Sequence, residues 1–205
     1  MLRGAGAMRF EATSIEGAWL VHLERQTDSR GSFGRLFCAE TFAAHGLAGG
    51  FVQESLSVTR QAGSLRGMHY QRAPHAEVKY LRCLRGAIHD VVADLRPDSP
   101  SRGRWQAFQL AAGDDTALYI PAGCAHGFQT LTDDVELLYH MSVAYQPGFA
   151  DGFRFDDPAF AIAWPREVTV ISERDLTWPP LAGRATAGDA TAAADTHGPR
   201  HSFGA

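Results

Sequence analysis

Two histidines in short, glycine-containing segments are the residues of this sequence most suited to chemistry. His126 lies in YIPAGCAHGF, where Pro121 and Gly123 favour a turn that delivers the histidine onto the next strand. His69 lies in RGMHYQ. Imidazole has an ordinary pKa of about 6.5, so it exchanges protons near neutral pH, and it is also a common metal ligand. These segments therefore predict either acid–base catalysis or a metal site.

The spacing of the candidate ligands favours acid–base chemistry over metal binding. The Pro-Gly-His turn resembles the second conserved motif of the cupin superfamily, whose metal-binding members add two histidines separated by one residue and a glutamate, because a divalent ion needs several convergent ligands. Here the candidates are His69, His75 and Glu77, and the two histidines are six positions apart. We expect no metal and no organic cofactor. A metal-dependent cupin enzyme that uses His69, Glu77 and His126 is the alternative.

Strands must position these side chains. Residues 135–145 alternate apolar and polar side chains, which predicts a strand with Tyr139 on its buried face. Residues 78–95 hold two apolar runs around a turn at 85–86, which predicts a two-stranded hairpin. One short helix is predicted at 39–45. Many short strands with tight turns are typical of an all-β jelly roll with one or two short helices.

Length and composition indicate one globular domain. The chain has 205 residues, 45% of them hydrophobic and 20% charged, and its formal net charge of -4 lacks the basic excess that nucleic-acid binding requires. The predicted domain covers residues 10–180, between a flexible N-terminus at 1–9 and a disordered Gly/Ala/Thr-rich tail at 181–205. We find no export signal and no apolar run of about 18 residues. We therefore expect a cytoplasmic protein that binds neither nucleic acid nor membrane.

Several ordered motifs between residues 10 and 178 resemble the dTDP-4-dehydrorhamnose 3,5-epimerase family of the cupin superfamily. They are FVQESLSVT, LRGMHYQRAPHAEVKYLRCLRG, DVVADLRPDSPSRGRW, IPAGCAHGF, LLYHMSVAYQPG, FDDP, AWP and ISERD. The resemblance implies a cupin-type double-stranded β-helix jelly roll. It also implies a homodimeric isomerase of deoxysugar biosynthesis that inverts C3, C5 or both in a nucleotide-linked 4-keto-6-deoxyhexose.

The same resemblance implies four catalytic residues. His69 matches the base that removes a proton beside the ketone, and Asp175 in ISERD matches the carboxylate that pairs with it. Lys79 matches the cation near the ketone oxygen, where positive charge is worth most as the enolate forms. Tyr139 matches the acid on the far side of the sugar, in agreement with its predicted place on the buried face.

The resemblance also implies a substrate-binding set, with arginines for the diphosphate and further contacts to the rest of the ligand. Strict alternation would send Arg66 and His69 to opposite faces of a strand, so we expect a bulge or kink at Gly67. The binding set comprises Arg30, Gln53, Ser55, Arg66 and His126.

Three positions depart from the family pattern, all on the nucleotide side of the site. Arg35 and Ala150 stand where glutamate is expected, and Ser55 stands where asparagine is expected. The reaction type is therefore better determined than the nucleotide carrier or the sugar. A binder that kept the fold but lost turnover is a further alternative, although it would have no need for an acid and a base on opposite faces of a ligand.

Overall fold

A computed structural model describes residues 8–182 of the chain, and residues 1–7 and 183–205 lie outside it. The predicted C-terminal tail falls outside these residues except for 181–182, while residues 8 and 9 of the predicted flexible N-terminus belong to the first strand. The strands of the described part are β1 Met8–Ala12, β2 Trp19–Leu23, β3 Gln26–Asp28, β4 Gly31–Phe33, β5 Gln53–Thr59, β6 Leu65–Gln71, β7 Lys79–Arg85, β8 Ala87–Asp94, β9 Trp105–Ala111, β10 Thr116–Ile120, β11 Cys124–Thr130, β12 Val135–Met141 and β13 Ala150–Gly152. Helix α1 spans Ala39–Ala44, helix α2 spans Glu173–Leu176, and Pro147–Phe149 form one 3-10 turn.

The strands form two facing antiparallel sheets and one small hairpin. The larger sheet has the order β1-β2-β10-β7-β12-β5, and the other has the order β13-β6-β11-β8-β9. Strands β3 and β4 pair only with each other in the described residues. This architecture confirms the predicted all-β jelly roll with short helices.

The main core fills the space between the two sheets. Alternate residues of strands in both sheets point into it, as expected when each sheet buries one face. Its larger side chains are Ile15, Leu81, Ile88, Val92, Phe108, Leu110, Leu118, Ile120, Phe128, Val135 and Leu137. A second cluster, which includes Phe42 of α1, Tyr80 and Tyr119, covers part of the outer face of the larger sheet. The larger sheet therefore has apolar clusters on both of its faces.

The alternation in residues 135–145 predicts the face of β12 correctly but overestimates its length. Val135 and Leu137 are fully buried and Tyr139 packs against the same cluster, as predicted. The strand ends at Met141 because Ser142 exchanges hydrogen bonds with Val78: the Ser142 N–H donates to the Val78 carbonyl, and the Val78 N–H donates to the Ser142 hydroxyl. The helix prediction at 39–45 is confirmed by α1, for which His45 is the C-terminal cap.

The predicted hairpin of residues 78–95 is wrong, although both strands exist. Strand β7 pairs with β10 and β12 in the larger sheet, whereas β8 pairs with β9 and β11 in the other sheet. Gly86 has a φ of 75°, and a Cβ there would lie 2.5 Å from the Thr132 hydroxyl oxygen. The turn therefore carries the chain across the barrel from one sheet to the other. Sequence shows that a turn is present but does not show which strands pair after it.

A buried polar network fixes the loop after β8. Asp94 has no exposed surface and accepts hydrogen bonds from the Arg96 guanidinium at 2.7 Å and from the Ser101 hydroxyl at 2.6 Å. Burial alone opposes ionisation, but the hydrogen bonds from Arg96, Ser101 and Ser99 hold the pKa of Asp94 well below its usual range. The ionised carboxylate is therefore part of the folded structure.

We predict that Asp94→Asn lowers the free energy of unfolding by about 3 kcal/mol at pH 7, because Arg96 loses its buried charged partner. A carboxylate whose pKa is depressed by folding stabilises the fold above its unfolded pKa of about 4, and this contribution is lost as the pH falls below that value. The difference in free energy of unfolding between wild type and Asp94→Asn, measured by urea unfolding, should therefore decrease from pH 7 to pH 3. A constant difference over this range would contradict the stabilising role of the ionised Asp94.

None of the helices in the described part of the chain is both long and apolar enough to cross a bilayer.

Candidate active site

The described part of the chain contains a cavity of about 840 Å³. Strands from both sheets and the segment 170–175 form its wall. Seven of the nine residues predicted to form the site line this cavity: His69, Lys79, Tyr139, Asp175, Ser55, Arg66 and His126. Residues distant in the sequence therefore meet in one space.

His69 and Asp175 form a close pair on the cavity wall. His69 Nε2 lies 2.6 Å from Asp175 Oδ1, with 39% of the histidine side chain and 5% of the aspartate side chain exposed. The Gly67 N–H donates to Asp175 Oδ2 at 3.3 Å, and Trp178 Nε1–H donates to Oδ1 at 3.3 Å. Burial disfavours the charged carboxylate, but the hydrogen bonds and the His69 charge hold the pKa of Asp175 below its usual value. Asp175 is thus an anion that fixes the orientation of the imidazole.

Helix α2 places this aspartate because its N-terminus is capped. The side chain of Ser172 accepts a hydrogen bond from the Asp175 N–H at 3.1 Å, as expected of a serine cap. Residue 171 next to the cap forms a parallel bridge with Leu65 at the start of β6. The helix therefore begins beside the strand that carries His69.

The predicted irregularity at Gly67 is confirmed. The register between β6 and β11 shifts between His126 and Phe128, and Gly67 adopts a φ of 147° that favours glycine. A Cβ at this position would lie 2.6 Å from the Gly127 Cα. The shift lets both Arg66 and His69 reach the cavity, which regular alternation would forbid.

Lys79 begins β7 beside His69 and is the single lysine in the 205-residue chain. Its Nζ donates to the His69 carbonyl at 3.1 Å and lies 3.3 Å from Glu77 Oε1. The side chain is 12% exposed. A nearly buried cation therefore stands beside the His69–Asp175 pair.

Tyr139 lies on β12 with Ser55 and Leu81 as its cross-strand neighbours. Burial raises the pKa of Tyr139 well above its usual value, and the negative charge of Asp90 adds to this effect. No hydrogen bond to its hydroxyl is found among residues 8–182. Tyr139 is thus a protonated phenol at neutral pH, with its hydroxyl available to a ligand.

His126 belongs to a second histidine–carboxylate pair, and its carboxylate was missed at the level of sequence. His126 Nε2 lies 2.9 Å from Asp90 Oδ2, and both side chains are buried. The His126 ring meets Tyr139 edge-on at 5.9 Å between centroids, and His126 faces His69 across the β6–β11 register. The signal in the sequence was an aspartate inside the apolar run AIHDVVAD, where a buried charge needs a partner.

The substrate-binding predictions divide into three groups. Arg66 lines the cavity and donates from Nε to the Thr59 hydroxyl at 3.1 Å, and Ser55 also lines it. Gln53 does not line the cavity. Its Oε1 accepts a hydrogen bond from the backbone N–H of Tyr145, a lining residue, at 2.9 Å. Arg30 does not line this cavity. It lies on the β3–β4 hairpin, where its side chain is 88% exposed and forms an ion pair with Asp28 at 2.6 Å. Its role in diphosphate binding stays a prediction.

The three positions expected to depart from the family pattern lie in different surroundings. Ser55 and Ala150 line the cavity, so their small side chains shape it directly. Arg35 is exposed and does not contribute to the lining. Two of the three expected departures are therefore in the cavity wall.

The histidines and Glu77 named as alternative metal ligands have separate partners. His69 pairs with Asp175, His126 with Asp90, and Glu77 with Lys79. Within residues 8–182, no group of three or more His, Cys, Asp or Glu side chains converges on a point that could hold a metal ion.

A jelly roll with paired histidines, a lysine and a protonated tyrosine in one cavity has the features of a cupin-type isomerase. The chain belongs to the dTDP-4-dehydrorhamnose 3,5-epimerase family, since the model of that family matches residues 12–183. It is accordingly a carbohydrate epimerase.

Three relatives illustrate the similarity. The dTDP-4-dehydrorhamnose 3,5-epimerase of Sinorhizobium fredii is 38% identical over 175 residues, which cover 85% of this chain and 90% of the relative. The crystal structure of the Bacillus anthracis enzyme with TDP and PPi bound has a TM-score of 0.82 at 33% identity, covering 85% of this chain and 100% of that one. A 3'-monoepimerase from Streptomyces bikiniensis in complex with dTDP-quinovose has a TM-score of 0.77 at 38% identity, covering 87% and 89%.

Proposed function

We propose that this enzyme epimerises C3, C5 or both in a nucleotide-linked 4-keto-6-deoxyhexose of the dTDP-4-dehydro-6-deoxyglucose type, within deoxysugar biosynthesis. The observation that carries the proposal is the meeting of His69–Asp175, Lys79 and Tyr139 in one cavity. Relatives named as double epimerases and as 3-epimerases both match the chain. The number of inverted centres is what the deuterium experiment below measures.

In the proposed mechanism His69 is the base. Its Nε2–H donates to Asp175, so the lone pair on Nδ1 takes the proton from the carbon beside the ketone. The C–H electron pair becomes the enolate C=C bond, and the ketone π electrons move to oxygen. Asp175 stabilises the imidazolium that forms, as the carboxylate of a histidine dyad does.

Lys79 and Tyr139 complete the proton transfer. The Lys79 ammonium stabilises the negative charge on the enolate oxygen, and this charge–charge interaction strengthens as the transition state is reached. Tyr139 then gives its proton to the opposite face of the carbon and regains one from solvent, while the His69 imidazolium releases the proton that it took to solvent. The raised pKa of Tyr139 supports this role, because the phenol carries its proton at neutral pH.

The binding residues hold the rest of the ligand in this proposal. Arg66 reaches the cavity mouth with a forked guanidinium suited to a diphosphate, and His126, held by Asp90, contacts the ligand beside Tyr139. Ser55, Gln53 and Arg30 complete the predicted set. Neither a metal nor an organic cofactor has a step in this mechanism.

The experiment that tests this function is solvent deuterium incorporation into dTDP-4-keto-6-deoxyglucose in heavy water, read at each carbon by NMR. Label at C3 and C5 indicates a double epimerase, and label at one carbon indicates a single-site enzyme. No label above an enzyme-free control would contradict the proposal for this substrate. Other nucleotide carriers would then be tried, since Ser55 and Ala150 alter the cavity wall.

We predict that Arg66→Ala weakens substrate binding roughly 10-fold or more while kcat changes little, because a charged hydrogen bond to the diphosphate is lost in ground and transition states alike. Initial rates over a range of substrate concentrations measure this. Arg104→Ala, which removes an exposed arginine outside the cavity, should leave KM unchanged. A fall in kcat with normal KM would instead place Arg66 among the catalytic groups.

We also propose a homodimer that acts in the cytoplasm, as the family resemblance implies. Support for a subunit interface comes from apolar side chains exposed on β5 and β7, with Leu56 56%, Val58 45% and Leu84 45% exposed. Light scattering after gel filtration tests the oligomeric state, and a monomer at micromolar concentration would contradict it.

A further inference from the structure

Glu77 is a buried carboxylate beside the proposed catalytic residues, and the mechanism above gives it no task. Its side chain is 7% exposed, and Oε1 lies 3.3 Å from Lys79 Nζ. The other oxygen, Oε2, is buried without a hydrogen-bond partner among the described residues. A buried carboxylate with one unpaired oxygen costs free energy of folding. The ion pair with Lys79 is the interaction that can offset this cost.

The loop that carries Glu77 is held at both ends. At its start, the Gln71 side chain donates to the His75 carbonyl at 3.1 Å and accepts from the Gln146 N–H at 2.6 Å. At its end, the Val78 N–H donates to the Ser142 hydroxyl at 2.8 Å. The backbone around Glu77 is thus fixed to the end of β6 and to the segment that follows β12. A carboxylate on such a loop can fix the position of a neighbouring group.

An ammonium has three N–H donors in a tetrahedral arrangement. Lys79 donates one to the His69 carbonyl, and its Nζ also forms an ion pair with Glu77 Oε1 at 3.3 Å. These two contacts hold the ammonium beside the cavity that Lys79 lines, where another of its N–H groups can reach a ligand. We propose that Glu77 is a positioning residue, whose ion pair with Lys79 holds the ammonium so that another of its N–H groups points at the ketone oxygen of the substrate.

This inference rests on the proposed function, because it assigns Lys79 to the enolate oxygen. A lysine side chain has four rotatable bonds and would otherwise sample many positions of its charge. Holding it in place before the reaction removes the cost of moving it while negative charge develops. Glu77 should therefore act on the rate of proton transfer and much less on substrate binding. The required feature is a side-chain oxygen beside the Lys79 ammonium. Because glutamine also supplies such an oxygen, Glu77→Gln should keep the function of the glutamate.

The kinetic test compares three variants by deuterium exchange. Glu77→Ala should lower kcat roughly 10- to 100-fold with KM within about threefold of wild type, the size expected when a catalytic group is displaced by about 1 Å. Glu77→Gln should restore kcat to within about threefold of wild type. Glu136→Gln, which alters an ion pair with Arg85 outside the cavity, should behave as wild type. Full kcat in Glu77→Ala, or equal losses in the Ala and Gln variants, would overturn the proposal.

A double-mutant cycle separates positioning from a general structural role. Lys79→Met removes the group that Glu77 is proposed to aim, so adding Glu77→Ala to it should lower kcat by no more than about twofold further. Independent, multiplied losses would show that Glu77 does not act through Lys79.

A measurement without turnover distinguishes failure of this inference from failure of the proposed function. Because Lys79 is the single lysine, protein labelled with ¹⁵N at the lysine side chain gives one ammonium signal. We expect the Lys79 N–H protons to exchange with water at least fivefold faster in Glu77→Ala than in wild type or Glu77→Gln. Unchanged exchange would overturn the positioning role even if the wild type is an active epimerase. Faster exchange, with no deuterium entering the sugar in the wild type, would reject the function and keep the Glu77–Lys79 coupling.

Discussion

His69→Ala should lower the rate of epimerisation by about 10³-fold or more, because the carbon beside the ketone loses the base that removes its proton. The fold should survive this change. Asp175 keeps its hydrogen bonds from the Gly67 N–H and from Trp178, so its carboxylate does not become an unpaired buried charge. The rate is measured by deuterium entry into the sugar, and binding of dTDP is measured by calorimetry.

His45→Ala is the matched control for this variant. His45 is exposed, caps α1 and lies outside the cavity, so its loss removes an imidazole without touching the site. Near-normal exchange in His69→Ala would show that another group is the base. Loss of dTDP binding together with loss of exchange would instead indicate that the variant is not folded around the cavity.

Tyr139→Phe should separate proton removal from inversion. His69 can still remove the proton and return one to the same face, so deuterium should enter the starting sugar with its configuration retained. Inversion should fall by about 10²- to 10⁴-fold, the usual contribution of a general acid. NMR distinguishes the two products, because the label and the coupling constants at C3 and C5 are read in one spectrum.

Tyr119→Phe provides the same chemical change elsewhere. The Tyr119 hydroxyl accepts a hydrogen bond from the Ala48 N–H at 3.0 Å, far from the proposed chemistry, so the variant should invert its substrate normally. If Tyr139→Phe inverts at the wild-type rate, the proton must come from another donor, and His126 beside it would be the next candidate.

The local pattern of the sequence predicts much of this site because strand periodicity is a local property. The alternation around Tyr139 predicts the face on which it lies, since side chains in a strand point to opposite faces in turn. The need for both Arg66 and His69 to face a ligand predicts an irregularity at Gly67, and the structure contains one. In each case neighbouring residues hold the required information.

Contacts between distant segments could not be predicted in the same way. The turn at Gly86 predicts a hairpin, yet β7 and β8 lie in different sheets because each finds its hydrogen-bond partners elsewhere in the chain. Asp90 as the partner of His126 also emerges only when β8 and β11 are paired. Arg30, chosen by motif, lies on a separate hairpin outside the cavity.

The sequence by itself therefore determined the all-β class, the family and the residue types available for proton transfer, since these follow from periodicity and from ordered motifs. Only the tertiary structure decided which strands pair and that Asp90 holds His126. The physical reason is that hydrogen bonds and ion pairs act over about 3 Å, and separations of this size between distant residues depend on strand pairing and register.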